Sequence, residues 1–451
     1  MSTAIASTEE RPRINYDESS LILTSGPAGQ ENHAVANWFS QLRFAGWKAF
    51  EDAPLPVRTD EAWRFATIKA LDLSEFRRPV PVEAPAAAGL IRRSAGGFKT
   101  AGRMIFANDQ LISREVHAPE LKAEAAGLIW KPLEQAIAEH EALVSRHFMT
   151  QEVVLGSRKF AALHQANVRA GTFIYVPKNT KVELPLETVH WLHGRNSSVF
   201  PHTLIIVGEN SSVTVIDRFE SAEDQEPGFA CGVNDLYLEQ GATLKYVNVQ
   251  NWSRQTLSFQ TNSTVVGRDA SAVNMALNLG SRYARTESVS RLVGEGGRSD
   301  MLALSVAAGS QEFDQRTLQD HRKPDTASDL LYKNSLDGQA RTIFAGLIRV
   351  EPGAQRTDAY QKVRNLLLSD DAEANSMPGL EIMADDVRCT HGATSGQMDE
   401  EELFYMLSRG IPHREAQQLI VLGFLNEVIE RLGDEEIGNE LRELVSRKFA
   451  A

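Results

Sequence analysis

Cysteine is almost absent from this sequence of 451 residues, which contains only Cys231 and Cys389. There is no CxxC pair, and two thiols in one chain cannot form a four-thiolate metal site. Such cysteine poverty is typical of a reducing compartment, although the sequence leaves a disulfide between the two open. Cys231 directly precedes a predicted strand, and we expect it to be a core thiol. Any metal or iron–sulfur chemistry therefore requires ligands from histidine, carboxylates or a second chain.

Positive charge and long apolar runs are also scarce. Lys and Arg number 47 against 60 Asp and Glu, which gives a net charge of −13. A chain this acidic has no broad field that would attract phosphate backbones, so we expect no nucleic-acid partner. No stretch approaches the roughly 18 apolar residues that a membrane helix needs. The first twenty residues lack an apolar stretch of signal-peptide type, and we expect a cytoplasmic protein without a membrane segment.

The familiar catalytic motifs are missing as well. The chain has no phosphate loop of the GxxxxGK[ST] type, no GxGxxG after a strand, and no HExxH, GxSxG or EF-hand motif. We therefore expect that it neither hydrolyses nucleotide nor uses a familiar triad. A β-helix carbohydrate-active enzyme is an alternative, but it needs paired carboxylates in an aromatic-lined groove. The chain has only 7% aromatic residues and no convincing acidic pair on a strand, which counts against this alternative.

A chain of this length predicts more than one domain, and its first part has helical patterns. Apolar residues recur at three-to-four spacing over Ala34–Ala45, and Gly46 is expected to interrupt this helix. Thr59 or Asp60 is a candidate N-cap of a short helix. The proline- and alanine-rich stretch Pro79–Ala88 predicts a linker or an extended surface strip. Two further helical patterns lie at Pro132–Val144 and Phe160–Arg169, so we predict a mixed, helix-rich domain.

The pattern changes at Gly171 to short runs of β-branched and aromatic residues, each of strand length. Turn elements rich in glycine and small polar residues recur between them about every thirty residues, near Gly208, Gly241, Gly267 and Gly296. No long helical pattern separates the runs, which disfavours a βαβ sheet. Stacked coils bury an inner face that one coil cannot, so the repeat favours a solenoid. An antiparallel jelly roll or barrel is the competing interpretation.

The residues after Thr390 again predict helices. Asp399 is a candidate N-cap, Gly410 ends the first helix, and Pro412 suits the first turn of the next. Around Phe424 and Leu425 the second helix is apolar on more than one face. Such a helix must be covered on more than one side. Both a partner protein and the preceding domain can provide that cover, and the sequence does not decide between them.

One segment combines residues that could bind a metal. Cys389 and His391 are two positions apart, so on a strand their side chains project to the same face. A thiolate beside an imidazole is a half-site for zinc, iron or an iron–sulfur cluster, and Glu381, Asp385 or Asp386 could add oxygen ligands. Alternatively, the histidine lowers the pKa of the thiol and makes it a nucleophile. A buried cysteine and a hydrogen-bonded histidine without function remain the third interpretation.

This segment is similar to a known family. The run from Cys389 to Asp399 resembles the C-terminal signature of the SufD branch of the SufB/SufD family of iron–sulfur cluster assembly scaffold proteins. The resemblance spans nearly the whole chain and is densest from about residue 342 to 431. Weaker similarities occur at Asp60–Arg64 and Phe173–Pro177. The further matching stretches are Phe344–Val350, Gly353–Gln355, Thr357, Tyr360–Gln361, Asn365–Leu368, Pro378–Ile382, Leu403–Tyr405 and Ser408–Ile411.

The resemblance implies a mainly β fold with a right-handed parallel β-helix as its core. An N-terminal helix-rich domain would occupy residues 1–170, the β-helix 171–390 and a C-terminal helical domain 391–451. In the family the C-terminal helices dock the SufC ATPase. The residues of this chain that would bind SufC are Leu403, Phe404, Tyr405, Arg409, Phe424 and Leu425.

The implied function is that of a non-catalytic scaffold subunit in the SufBCD complex. Such a subunit pairs with SufB through the β-helix ends, and a homodimer in isolation is the other pairing considered. By position, His391 matches the histidine that helps to build the nascent cluster at the SufB–SufD interface. Cys389 matches a nearby cysteine whose role is less firmly implied. The cluster would be transient and shared with SufB, with no permanently bound cofactor. A SufB-like chain that holds a cluster alone is the alternative, but the SufB signature usually carries more cysteines.

Overall fold

The computed structural model describes residues 21–24, 26, 27, 37–118 and 127–450. Its helices are α1 (Asn37–Asp52), α2 (Ala84–Ser94), α3 (Leu133–Glu139), α4 (Glu141–His147), α5 (Arg158–Asn167), α6 (Glu400–Ser408), α7 (His413–Arg431) and α8 (Glu435–Ala450), with short 3-10 helices at Glu61–Trp63 and Ile68–Ala70. Its strands are β1 (Gly102–Ala107), β2 (Gln110–Val116), β3 (Ile129–Pro132), β4 (Gly171–Val176), β5 (Leu186–Leu192), β6 (Ser197–Val199), β7 (His202–Val207), β8 (Ser212–Ser221), β9 (Gly228–Leu238), β10 (Thr243–Asn251), β11 (Leu257–Val266), β12 (Ser271–Asn278), β13 (Tyr283–Leu292), β14 (Arg298–Ala307), β15 (Glu312–His321), β16 (Ala327–Leu336), β17 (Arg341–Val350), β18 (Thr357–Leu367), β19 (Glu373–Ile382) and β20 (Val387–Gln397).

The strands form a parallel β-solenoid of about eight turns. One sheet has the order β2-β1-β5-β8-β10-β12-β14-β16-β18-β20, and the other runs β19-β17-β15-β13-β11-β9-β7-β4-β3. From β8 to β20, residues paired across neighbouring strands of the first sheet lie 27 to 31 positions apart in the chain. This pairing confirms the solenoid prediction. It rules out the jelly roll, whose neighbouring strands would be antiparallel.

The recurring turn elements form a column along one corner of the solenoid. Asn210, Gly241, Asp269 and Gly296 occupy the same position in successive coils, and all four have positive φ, between 52° and 73°. Each donates its backbone N–H to a carbonyl of the following coil at 2.8 to 3.4 Å. Only glycine and short polar residues adopt this left-handed conformation at low cost, which explains why these residue types recur in the sequence.

The N-terminal region differs from its prediction in two places. Helix α1 continues through Gly46, which was expected to interrupt it, because the glycine lets α5 approach closely. A Cβ at that position would lie 2.8 Å from the Cβ of Gln165. The predicted linker Pro79–Ala88 contains the beginning of α2, which has a proline in its first turn and buries Leu90 and Ser94. The predicted start of α1 at Ala34 lies outside the described residues.

Strands also join the N-terminal region to the solenoid. Strand β1 pairs in parallel with β5, and β3 pairs antiparallel with β4, so residues before 171 extend both sheets. The helical patterns at Pro132–Val144 and Phe160–Arg169 are confirmed by α3, α4 and α5. At the other end, β20 continues through Gln397, beyond the expected boundary at 390. The division into three domains therefore stays a prediction, whereas the sheets themselves cross both expected boundaries.

A buried arginine ties the N-terminal region to the solenoid. Arg285 of β13 is fully buried, and its guanidinium donates to the carboxylates of Glu287 and Asp314. The same guanidinium stacks 3.9 Å from the ring of Trp63 and donates to the carbonyl of Leu155 at 2.8 Å. One side chain thus satisfies groups from two strands and two N-terminal segments, which fixes how these parts meet.

The C-terminal helices α7 and α8 cover the outer face of the first sheet. Val421, Leu425 and Val428 are fully buried in one cluster with residues of β10, β12, β14 and β16. Lys333 of β16 reinforces the contact, because its ammonium donates to the carbonyl of Phe424 at 2.6 Å and pairs with Glu427 at 2.7 Å. Burial of this apolar face stabilises the two helices as part of the same body as the solenoid.

Candidate functional site

The last coil of the solenoid ends in two edge strands. Strands β19 and β20 are terminal in their sheets, and no other strand in the described ranges pairs with their outer edges. Leu380, Ile382 and Met383 are exposed beside this edge. Open edges expose backbone donors and acceptors that are suited to pairing with another chain. Sequence reasoning did not single out this apolar rim, which lies a few residues before the acidic pair Asp385 and Asp386.

The edges of β19 and β20 differ in whether every residue has a backbone N–H group to donate. Strand β19 contains Pro378, which has no backbone N–H to donate. Strand β20 spans eleven residues without proline. It therefore offers the longer uninterrupted edge, and it is also the strand that carries Cys389 and His391.

The structure places Cys389 and His391 in one row on the inner face of β20. In the parallel ladder, Cys389 pairs with Ala359 of β18, and His391 pairs with Gln361. Cys389 is half-buried and packs against the cluster that contains Ala359, whereas His391 is exposed. Ser395 lies on the same face of β20, four residues after His391, and its hydroxyl accepts a hydrogen bond from the buried amide of Asn365 at 3.1 Å. This confirms the expectation that the two residues share a face.

The environment of the Cys389 thiol does not activate it. Burial raises the pKa of Cys389, the nearby charge of Asp358 raises it further, and a hydrogen bond from the Ala359 backbone opposes them. The thiol of the free chain is therefore protonated at neutral pH, contrary to the interpretation of a nucleophile activated by His391. A metal or cluster that binds here must displace this proton.

The acidic residues near this row do not complete a metal site. Glu381, Asp385 and Asp386 are all exposed. Within the described ranges, no group of three or more His, Cys, Asp and Glu side chains is arranged to hold a metal ion. One thiol and one imidazole at an open edge are thus an incomplete donor set, because zinc and iron–sulfur sites commonly require four protein ligands.

Helix α6 presents a second exposed surface. Asp399 caps it as expected, accepting from the backbone N–H groups of Glu401 and Glu402. None of its residues is buried; Phe404 is 71% exposed and Tyr405 58% exposed. The guanidinium of Arg409 lies 5.1 Å from the Tyr405 ring and donates to its hydroxyl at 3.0 Å. Exposed aromatic residues beside an arginine are typical of interaction surfaces.

Comparison with known proteins identifies the family. The profile described as "SUF system FeS cluster assembly, SufBD core domain" matches residues 190–424. That range includes most of the solenoid, the row of Cys389 and His391, and helix α6. The chain belongs to the SufBD family.

Curated relatives agree with this assignment. The chain is 29% identical over 429 residues to the iron-sulfur cluster assembly protein SufD of Bacillus subtilis, which covers 93% of this chain and 95% of the relative. It is 28% identical over 316 residues to an iron-sulfur cluster assembly SufBD family protein of Staphylococcus epidermidis, covering 70% of this chain and 68% of that protein. In the described part of this SufBD-family chain, no helix is long and apolar enough to cross a membrane.

The SufBD-family chain uses part of the predicted SufC surface for its own packing. Leu425 is fully buried against the solenoid, so it packs within the chain itself, and its assignment as a SufC contact stays a prediction. Phe424 is only partly buried, and its ring lies 4.7 Å from the ammonium of Lys333. Leu403 is half-buried. The solenoid and α8 therefore cover much of the doubly apolar helix, while Leu419 on the same helix is 49% exposed.

The second cysteine has a structural environment, as expected. Cys231 is 2% exposed, and its thiol donates to the carbonyl of Phe160 at 3.2 Å. Burial raises the pKa of this thiol far above its usual range. A thiol without access to solvent or thiolate character is inert toward metals, so Cys389 is the available sulfur of this chain.

Proposed function

We propose that this chain is a non-catalytic scaffold subunit of a SufBCD complex, in which it pairs with SufB and docks the SufC ATPase. The observation that carries the proposal is the row of Cys389 and His391 on the inner face of β20, a terminal strand whose outer edge pairs with no other strand of the described residues. Ligands at an open edge become part of a complete site only when another chain closes over them. The nascent iron–sulfur cluster is therefore a cargo shared across the interface, and this chain holds no permanent cofactor.

The small number of cysteines supports the role of a SufD-like subunit over that of a SufB-like one. Cys231 is buried and Cys389 is the other cysteine of the sequence, so the chain alone offers one accessible thiol. A cluster bound mainly through thiolates requires further cysteines, which a SufB partner would provide. The alternative of a SufB-like chain predicts that the purified protein alone reconstitutes a cluster with several cysteine ligands. Failure to reconstitute under anaerobic conditions with iron and sulfide would reject that alternative.

SufC docking is proposed to use helix α6 rather than α7. Phe404, Tyr405 and Arg409 are exposed there, while Leu425 is committed to the solenoid. Nucleotide-driven movement of a docked ATPase would be transmitted to β20, because α6 follows that strand after two residues. This short connection supports a role in opening the interface at the cluster site.

The test of the docking surface is co-expression of the tagged chain with SufB and SufC. Point variants are better than truncation after Met398, because removing α7 and α8 would expose the apolar sheet face that they cover. We expect Phe404→Ala/Tyr405→Ala to lose SufC from the purified complex while SufB remains. Leu111→Ala, an exposed apolar residue on β2, is the matched control. Retention of SufC by the double variant would refute the proposed dock.

The test of the cluster ligand is His391→Ala in the same co-expression system. His391 is exposed at the edge, so the variant is expected to fold and assemble normally but to yield a colourless complex. Thr390→Ala, one residue away on the opposite face of β20, is the control and should give a brown complex. Unchanged iron and sulfide content in the His391 variant would contradict the ligand role.

In isolation the same edge is open to a second copy of the chain. We expect a homodimer when SufB is absent, because unpaired strands favour association. Light scattering on the chain alone and after addition of SufB measures this directly. A monomer at all concentrations would reject the homodimer and leave the pairing with SufB to be judged from co-purification.

A further inference from the structure

A buried glutamine lies one coil beneath the candidate site. Gln361 of β18 is 2% exposed, and neither its amide nitrogen nor its amide oxygen has a hydrogen-bond partner among the described residues. Buried amides in native proteins are almost always hydrogen-bonded, since an unsatisfied donor or acceptor is destabilising. A side chain with both ends unsatisfied therefore requires an explanation beyond packing.

The space that holds this amide is made by a glycine. A Cβ at Gly346 of β17 would lie 2.5 Å from the amide nitrogen of Gln361 and 2.6 Å from the hydroxyl of Thr317. The Thr317 hydroxyl is also buried and has no partner in the described part of the chain. The absence of a side chain at Gly346 thus leaves room for the Gln361 amide inside the terminal coils.

The strand register places His391 directly over Gln361. His391 pairs with Gln361 across the β18–β20 ladder, and Pro378 pairs with Gly346 across the β17–β19 ladder. Neighbouring strands lie about 4.8 Å apart, so inward side chains at paired positions stack on one another. Pro378 has no side-chain polar group, and the flanking residues Cys389 and Ala393 offer at most a weak thiol donor. Gln361 is therefore the buried amide that the strand register pairs with His391.

The same register relation already produces a hydrogen bond four residues further along the two strands. Asn365 of β18 pairs with Ser395 of β20, and the Asn365 amide donates to the Ser395 hydroxyl at 3.1 Å. Asn334 donates in turn to Asn365 at 2.8 Å. Inward amides of this solenoid thus bond from coil to coil, and Gln361 and His391 occupy the equivalent positions four residues earlier on the same two strands.

We propose that Gln361 is a positioning residue for His391, a role that rests on the proposed function. Rotation of the exposed His391 side chain brings one ring N–H to the Gln361 carbonyl. That hydrogen bond fixes one neutral tautomer and leaves the lone pair of the other ring nitrogen for the cluster iron. This hydrogen bond gives the buried carbonyl of Gln361 a partner, and that partner is the ligand that it orients.

The decisive measurement is the tautomer of His391 in the isolated chain. Nitrogen-15 resonances of histidine-labelled protein report the two ring nitrogens, and His391→Ala assigns the signals. We expect one dominant tautomer in the unaltered chain and a mixture like that of free histidine in Gln361→Met. Gly346→Ala, whose Cβ would crowd the Gln361 amide as well as Phe344 and Thr317, should have the same effect. Identical His391 resonances in the unaltered chain and both variants would overturn the proposal.

Thermal stability separates positioning from a structural role. Gln361→Met removes two unsatisfied buried polar atoms at nearly constant volume, so its Tm should equal or exceed that of the unaltered chain. Gln315→Met is the matched control, because this buried amide donates to Ser305 and Asn334. It should lower Tm and leave the His391 resonances unchanged. A fall of several degrees for Gln361→Met would show that the amide is structural and would contradict the proposal.

The complex provides the functional measurement. In the purified three-protein assembly, Gln361→Met should reduce iron content several-fold and alter the absorbance of the remaining cluster. Normal iron content and an unchanged spectrum would count against the proposal. The resonance experiment does not depend on cluster formation. Failure of the proposed function therefore appears as a normal cluster in His391→Ala, and failure of the present proposal appears as unchanged resonances.

Discussion

Replacement of Arg285 by methionine should strongly destabilise the contact between the N-terminal region and the solenoid. The arginine is fully buried between Glu287 and Asp314, and methionine has a similar volume without charge. Removing one partner of a buried ion pair generally costs about 3–5 kcal/mol. Asp314 keeps an ion pair with Arg316 at 2.6 Å, which limits the loss. We therefore expect a reduction in the free energy of unfolding of about 3 kcal/mol, near the lower end of that range.

The charge left without a cation is that of Glu287, which within the described part of the chain keeps the hydrogen bonds from Ser157. The double variant Arg285→Met/Glu287→Gln removes this charge and should recover about 1–2 kcal/mol. Arg298→Met is the matched control, since its pair with Asp300 involves an arginine that is 56% exposed. Exposed pairs of this kind contribute about 0–1 kcal/mol.

Urea denaturation measures the global loss, and hydrogen exchange shows where it occurs. Because Arg285 also donates to the carbonyl of Ala62, amides around the 3-10 helix Glu61–Trp63 should exchange faster in the variant. A loss below about 1 kcal/mol would refute the interpretation of a critical buried network. Recovery of nothing in the double variant would show that the orphaned carboxylate is not the cause.

Three further predictions concern acid sensitivity, helix docking and coil packing. Burial lowers the pKa of His190 to about 3, so the unfolded chain takes up a proton at this residue below pH 6.5 while the folded chain does not. The neutral, buried His190 therefore costs no stability above pH 6.5, and the free energy of unfolding falls as the pH is lowered from 6.5 toward 3. His190→Phe cannot take up this proton, so it should raise the free energy of unfolding by about 2 kcal/mol more at pH 5 than at pH 8. Equal increases at the two pH values in urea denaturation would contradict this. Leu425→Ala should lower the free energy of unfolding by about 2–5 kcal/mol, whereas Phe404→Ala should lower it by less than about 0.5 kcal/mol. Similar losses for the two variants in the same assay would reject the assignment of α7 to the core. Gly280→Ala would place a Cβ 2.0 Å from the carbonyl oxygen of Trp252, so its soluble yield should collapse, and a normal yield and Tm would refute the close stacking of these coils.

Local patterns predicted the elements whose physical cause is local. The left-handed corners at Asn210, Gly241, Asp269 and Gly296 require residues that tolerate positive φ, and these residue types are visible in the sequence. Asp399 caps α6 by bonding to residues only two and three positions away. The shared face of Cys389 and His391 follows from the period of a strand.

Other features failed prediction because distant residues decide them. Gly46 does not end α1, since the space that it leaves is occupied by α5 more than a hundred residues later. The alanine-rich stretch after Pro79 has the composition of a linker, but it forms the first part of α2 because Leu90 of that helix is buried against β1 and β5. From the sequence, Leu425 could equally be a partner contact or a core residue, because only the structure shows that the outer face of the first sheet lies against it.

The sequence by itself determined the repeating coil, the turns between coils, the poverty in sulfur ligands and the two donors of the candidate site, because each depends on residue type and short-range spacing. The tertiary structure decided which strands are terminal, and therefore that Cys389 and His391 lie at an open edge. It also decided that Leu425 belongs to the core and that the Gln361 amide, beneath His391, has no hydrogen-bond partner among the residues that the structure describes. These features depend on which coil is stacked on which, a relation between residues about thirty positions apart that no local pattern contains.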